Sequence, residues 1–250
     1  SSKKLCRVRP APQGGTTVHE HVNARQNIES MIKSGDLEGL LRKAESIHGH
    51  LCPFVSLGVK AGQYAMHKLN TGSTGMEEVV AIVECNNCFT DGIQVVTGCT
   101  FGNNALIFRD LGKTAVTVAL RGNGKGLRLV VRPEYRDEMF ARYPAAGPLF
   151  EKVVVQRNAT PEEEHHLHHI WPAMAVKELA RPLEESLLVQ EVSVQLPSYA
   201  RIYPSVVCSK CGESVMEPRI RMVQGQPTCI PCAGAEYAEL TGQGIGCGRI

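Results

Sequence analysis

Two Cys-x2-Cys pairs near the C-terminus, Cys208-Ser209-Lys210-Cys211 and Cys229-Ile230-Pro231-Cys232, constrain what this chain can fold into more than any other feature. Each pair sets two thiolates on one side of an ion at small loop cost, and two pairs complete the tetrahedral set that zinc prefers. Gly212 and Gly225 permit the turns that bring the chain back. The stretch holds few apolar residues, so metal binding must supply much of its folding free energy. Four thiolates leave no vacant place on the ion, which makes the role structural. An iron–sulfur cluster also accepts four cysteines. Arg219 and Arg221 lie between the pairs, but Glu213 and Glu217 offset them, so no nucleic-acid partner is expected.

Ten cysteines stand in a chain of 250 residues, which is long enough to bury a core without disulfide staples. The 27 Lys+Arg against 25 Asp+Glu leave a charge of +2, too little to attract nucleic acid or acidic lipid. No apolar run reaches membrane-spanning length, and the leading SSKKLCRVRPAPQGG has no apolar stretch of a secretory signal. The expectation is a cytoplasmic protein with no membrane segment, whose thiols bind metal, react or pack.

Residues 1–22, rich in Pro, Gly and Thr, read as a flexible arm; Cys6, His19 and His21 have no packing reason to join a metal site there. Asp36 caps a helix carrying Leu37, Leu40, Leu41, Ala44 and Ile47. A second helix begins at Pro53, with Gly58, Gly62 and Ala65 small enough for close approach of another element. Strands are expected at Val79–Glu84, Thr114–Leu120 and Leu127–Arg132, the last two as a hairpin, and at Leu187–Leu196. The segment around Ile93 and Val96 is compatible with helix or strand. Thr160-Pro161-Glu162-Glu163 starts a helix that Pro172 should kink or restart. The pattern is α+β: a core over 23–198 of helices packed on a mixed or antiparallel sheet, and a treble-clef or zinc-ribbon-like module over 199–250.

The core holds a second constellation. His48, His50 and Cys52 alternate just before the helix start at Pro53, where the end of a helix favours a thiolate. Cys85 and Cys88 form a third Cys-x2-Cys, Asp91 follows, and Cys99 sits before Thr100. His50, Cys52 and Cys88 offer mixed imidazole and thiolate ligands, with a fourth place for water, Asp91 or substrate; that set suits zinc, nickel or iron. Cys85 and Cys88 are alternatively a redox pair, and Cys99 a buried small hydrophobe.

HGHLCP, the segment CNNCFTDGIQVVTGCTFGNNALIFRDLGKTA and the tail from YARIYP to CIPCAG together resemble the FmdE-like proteins, a family named for one of the subunits of formylmethanofuran dehydrogenase. The likeness covers roughly residues 40–132 and 199–234. It implies an α+β core, a C-terminal zinc module, a homodimer, and a metal or ligand site built from His48, His50, Cys52, Cys88, Asp91, Cys99 and Thr100. Within that set Cys52 and Asp91 are candidate catalytic groups, and His48, Cys99 and Thr100 candidate cofactor-binding ones. Two departures stand out: Phe54 where the family commonly has Gly, and Phe101-Gly102-Asn103-Asn104 where it commonly has GKGN, so a lysine is lost.

His165, His166, His168 and His169 fall on one expected helix, either as an exposed polar turn, a further metal site or a lid. Gly122-Asn123-Gly124-Lys125-Gly126 lacks the phosphate-loop patterns and reads as a hairpin turn. Three functions follow. The first is a metal-binding accessory subunit that handles a small metallocofactor or serves a larger redox enzyme complex. The second is a metal- or cysteine-dependent enzyme acting on a small substrate, and the third a purely structural subunit.

Overall fold

The computed structural model describes residues 23–249; the expected arm, with Cys6, His19 and His21, lies outside them. Three helices open the core: α1 (Gln26–Ser34), α2 (Leu37–His48) and α3 (Pro53–Lys68). Asp36 Oδ1 accepts from Gly39 N at 2.9 Å, and the left-handed Gly49 (φ 86°) ends α2. Strand β1 (Val79–Val83) leads into α4 (Cys88–Thr97). The ambiguous segment is therefore helical: Asn87 Oδ1 caps it by accepting from Phe89 N at 3.1 Å, and packing overrides its β-branched residues.

Strands β2 (Leu106–Phe108), β3 (Ala115–Leu120) and β4 (Lys125–Val131) follow, then α5 (Tyr135–Arg142), α6 (Ala146–Phe150) and a π-helical turn, Glu151–Gln156. Helix α7 (Pro161–Ala180) starts on a Thr160–Glu163 capping box and continues through Pro172 rather than restarting there. Strand β5 (Leu187–Ser193) completes a mixed sheet in the order β2-β1-β3-β4-β5. Only β2 runs parallel to its neighbour; β3 and β4 form the expected hairpin, with Val118 opposite Leu127.

Helices α3 and α4 cross at near backbone contact. A Cβ on Gly58 would lie 2.0 Å from the Phe89 carbonyl oxygen, and one on Gly92 would lie 2.5 Å from that of Val55. This crossing brings the N-terminal ends of two helices together, with Cys52 capping α3 and Cys88 opening α4. On its other side α3 holds α7. The buried Lys60 ammonium donates to the Glu178 and Arg181 carbonyls, each at 2.8 Å, and meets the orphan acceptors at that helix end. The buried Glu178 carboxylate in turn pairs with Arg142 of α5 at 2.8 Å.

The C-terminal stretch is three short hairpins: β6 (Ser205–Val207) with β7 (Ser214–Met216), β8 (Ile220–Val223) with β9 (Gln226–Cys229), and β10 (Tyr237–Thr241) with β11 (Gly244–Gly248). The last touches the core, with Asn86 Nδ2 donating to the Thr241 carbonyl and Ile245 N to Asp110 Oδ2, both at 2.8 Å. No helix among the described residues is long and apolar enough to cross a membrane.

Candidate metal centres

The ligand atoms of Cys208, Cys211, Cys229 and Cys232 all lie within 4.8 Å of one another. Backbone N–H groups converge on them: Cys229 N donates to Cys208 Sγ at 3.3 Å and Cys232 N to Cys229 Sγ at 3.5 Å. The N–H groups of Cys211 and Cys229 pull the Cys208 thiol down to about 6, toward the thiolate a metal needs.

The second cluster joins His48, His50, Cys52 and Cys88, again with all ligand atoms within 4.8 Å of one another. His48 thus takes the place that the sequence left to water, Asp91 or substrate. The expected alternation in an extended loop does not occur. His48 is the last residue of α2, and the left-handed turn at Gly49 swings His50 and Cys52 back toward it.

Asp91 stands one step outside the four donors. Its Oδ2 accepts from His48 Nδ1 at 2.7 Å, and its Oδ1 accepts from Gln94 Nε2 at 3.1 Å. With Nδ1 holding the proton, Nε2 presents its lone pair, and that atom is buried with no hydrogen-bond partner. A carboxylate behind an imidazole whose far nitrogen is orphaned inside a donor cluster is the arrangement of a ligating histidine. The observed donor set therefore fits a transition metal.

The thiols are poised unequally. Cys88 is held down to about 6 by the hydrogen bond from Cys52, and His48 acts in the same direction; Cys52, donor and buried, is pushed up. Partial burial and the nearby His48 and His168 push the His50 pKa down, which favours the neutral imidazole that binds metal.

Other candidates fall elsewhere. Cys99 and Thr100 lie beyond the C-terminal end of α4, whose ten residues separate them from Cys88 by about 15 Å of helix. Cys99 Sγ is buried and donates to the Val79 carbonyl at 3.3 Å, while Thr100 is exposed in a turn closed by Asn103. The structure does not bring either to the cluster. Cys85 turns to Thr90 and Asn87 rather than into the donor set. All four α7 histidines are exposed, and neither donor cluster among the described residues includes them.

Beside the donors opens a cavity of about 440 Å³, with His50, Cys52 and Cys88 on its wall. The rest of that wall is mostly apolar and aromatic: Phe54, Met139, Phe140, Phe150, Val154 and Trp171. Trp171 stacks on His50, with ring centroids 5.9 Å apart and planes at 15°. Helices α5, α6 and the π-helical turn supply much of this wall, and sequence reading missed them. A second cleft, about 470 Å³, reaches His48, Cys88 and Asp91 from the other side and includes Phe101 and Leu240.

A family model described as "FmdE, Molybdenum formylmethanofuran dehydrogenase operon" matches residues 47–188, more than half of the chain. The chain belongs to the FmdE family. A second model, the prokaryotic dksA/traR C4-type zinc finger, matches residues 201–238, and the four clustered cysteines there form a structural zinc site. A curated relative from Archaeoglobus fulgidus, named "Probable S-adenosyl-L-methionine-binding protein", is 43% identical over 213 residues. That match covers 84% of this chain and 56% of the relative, so the chain spans little more than half of its length. A solved structure of a tungsten formylmethanofuran dehydrogenase FmdE-like protein from Syntrophus aciditrophicus shares the fold at 22% identity. Its TM-score is 0.50, with 79% of this chain and 92% of that chain covered.

Proposed function

We propose that the FmdE-like core holds one transition metal on His48, His50, Cys52 and Cys88, and that the adjoining cavity receives a small organic molecule. The observation that carries this reading is the orphaned, buried His48 Nε2 within a His2Cys2 donor set on the edge of an organic-sized apolar pocket. Mixed imidazole and thiolate donors suit zinc, nickel or iron. Such an ion supplies Lewis acidity; the chain orients His48 through Asp91 and offers an apolar, aromatic wall to an organic ligand.

The accessory reading, in which the chain handles metal for a larger redox complex, needs no organic-sized cavity at the donors. Protein isolated without added metal is expected to carry two metals per chain by elemental analysis, with Cys52→Ser and Cys88→Ser each retaining one. Equal metal content in the three proteins rejects the core site. A core metal that exchanges within seconds favours delivery over residence. S-adenosyl-L-methionine enters as a named ligand class through the 43%-identical relative. The aromatic wall offers its adenine a stacking surface, and equilibrium dialysis tests it.

The proposal includes a homodimer. Ile202, Val207, Met216 and Met222 leave apolar surface exposed on and beside the C-terminal hairpins. A monomer mass by light scattering at working concentrations counts against it.

A further inference from the structure

Apart from the metal donors, the wall of the core cavity contains one charged side chain among the described residues, Arg136 of α5. Its guanidinium lies over Phe140 and Phe150, 5.7 and 5.2 Å from the ring centroids. These contacts seat the guanidinium against the aromatic surface, where its forked N–H groups can still reach a ligand. Among the described residues it forms no ion pair, in contrast to Arg128 and Arg142, each of which holds a carboxylate at 2.8 Å. Asp137 and Glu138 follow it on the helix, but neither lines the cavity.

The charge balance of the donors sharpens what this arginine can do. Two thiolates and two neutral imidazoles around a divalent ion sum to zero, so the filled centre has no net charge with which to attract an anion. The free positive charge in the cavity is that of Arg136. Phe54, Met139, Phe150 and Trp171 make the surrounding wall apolar. The edge-on contact of Phe54 with the buried Tyr135 (centroids 6.3 Å apart, planes at 89°) seats it in the wall.

From the placement of Arg136 over this pocket we infer that the cavity selects small organic carboxylates: an apolar body against Phe54, Met139 and Trp171, and a carboxylate on the Arg136 guanidinium. The inference rests on the cavity's being a ligand site, as proposed above, and adds the ligand class and the residue that sets it. Arg136 is a specificity residue here, remote from the metal donors in sequence and not one of them.

Trp171 is the chain's one tryptophan and lines the cavity, so its emission reports occupancy directly. The full metal-loaded chain is titrated with phenylacetate and octanoate, each beside its neutral amide. The acids are expected to bind about tenfold more tightly than the amides, the difference one charge-assisted pair supplies. In Arg136→Gln the two affinities should converge, and in Arg136→Lys part of the preference should return. Metal content and thermal midpoint should be unchanged in both variants, because the side chain is exposed and outside the donor set. Equal affinity for acid and amide in the wild type, a preference that survives Arg136→Gln, or no Trp171 response to any probe overturns the inference. Metal analysis of the same samples separates the two failures. Two metals per chain without carboxylate preference sinks only the ligand class, whereas one metal per chain sinks the core metal reading itself.

Discussion

Asp91 shows how a residue outside the donor set governs it. Its carboxylate holds His48 Nδ1 at 2.7 Å, which fixes the tautomer and aims Nε2 into the cluster. Asp91→Asn can still accept that hydrogen bond but lacks the negative charge behind the ligating ring. Core-metal affinity is expected to fall about 10–100-fold, with the C-terminal zinc untouched. Competition against a chromophoric chelator measures it, and unchanged affinity would remove Asp91 from any positioning role. Much of this centre is legible in the sequence. His50 and Cys52 stand out as donors by residue type and nearness to the helix start at Pro53, and Cys88 by its place in a Cys-x2-Cys. His48 enters the sequence reading as a cofactor-binding residue through the resemblance, and the left-handed turn at Gly49 that brings it to the other three donors is not foreseen there. Cys99 and Thr100 join the site only by closeness in sequence, which the length of α4 defeats.

At the scale of elements, the α3–α4 crossing is the frame on which the donors hang. The small residues at 58, 62 and 65 announce a close approach, and the structure shows it to be nearly backbone on backbone at Gly58. Gly58→Ala would drive its Cβ into the Phe89 carbonyl, which no rotamer change relieves. A loss of about 3 kcal/mol is expected in denaturant unfolding, together with loss of the core metal as Cys88 moves from Cys52. Full stability in this variant would mean that the helices can slide apart at no cost. What the sequence hides is α5 and α6. YRDEMFAR is mostly polar, and burial falls on Tyr135 and Met139 alone, too few positions to declare a helical face. Since those helices wall the cavity, the pocket cannot be read from the chain. Across the sheet, Glu84 and Arg128 join β1's end to β4 through two hydrogen bonds of 2.8 Å. The Arg128 guanidinium holds the Glu84 carboxyl below its usual range. A depressed folded-state pKa contributes stability above the unfolded value, and that stability is lost as pH falls through the folded value. Glu84→Gln should therefore cost about 2 kcal/mol at neutral pH, and the gap to the wild type should begin to close as pH falls through the ordinary glutamate value near ~4 and vanish only below the depressed folded-state value. A constant gap between the two proteins at all pH values would assign the loss to packing instead.

On the scale of the whole molecule, the two donor clusters differ in what surrounds them. The core around the His2Cys2 cluster buries a continuous set of aliphatic side chains from Ile32 to Leu187, so packing sustains it. The C-terminal hairpins contribute Cys208, Cys229 and Thr228 as buried residues and little aliphatic bulk, so zinc must hold them together. Their hydrogen bonds to the core, Asn86 to Thr241 and Ile245 to Asp110, sit at exposed positions and cannot substitute for the ion. Cys208→Ser should accordingly lose one zinc per chain and the protection of amides in β6 to β9 from hydrogen exchange. The core sheet and the core metal should persist. Amide exchange resolved by segment checks this alongside metal analysis. Simultaneous loss of protection in β3 and β4 would show that the core leans on the zinc site for its own stability. Retained protection in β6 to β9 without zinc would show that those hairpins fold by packing after all.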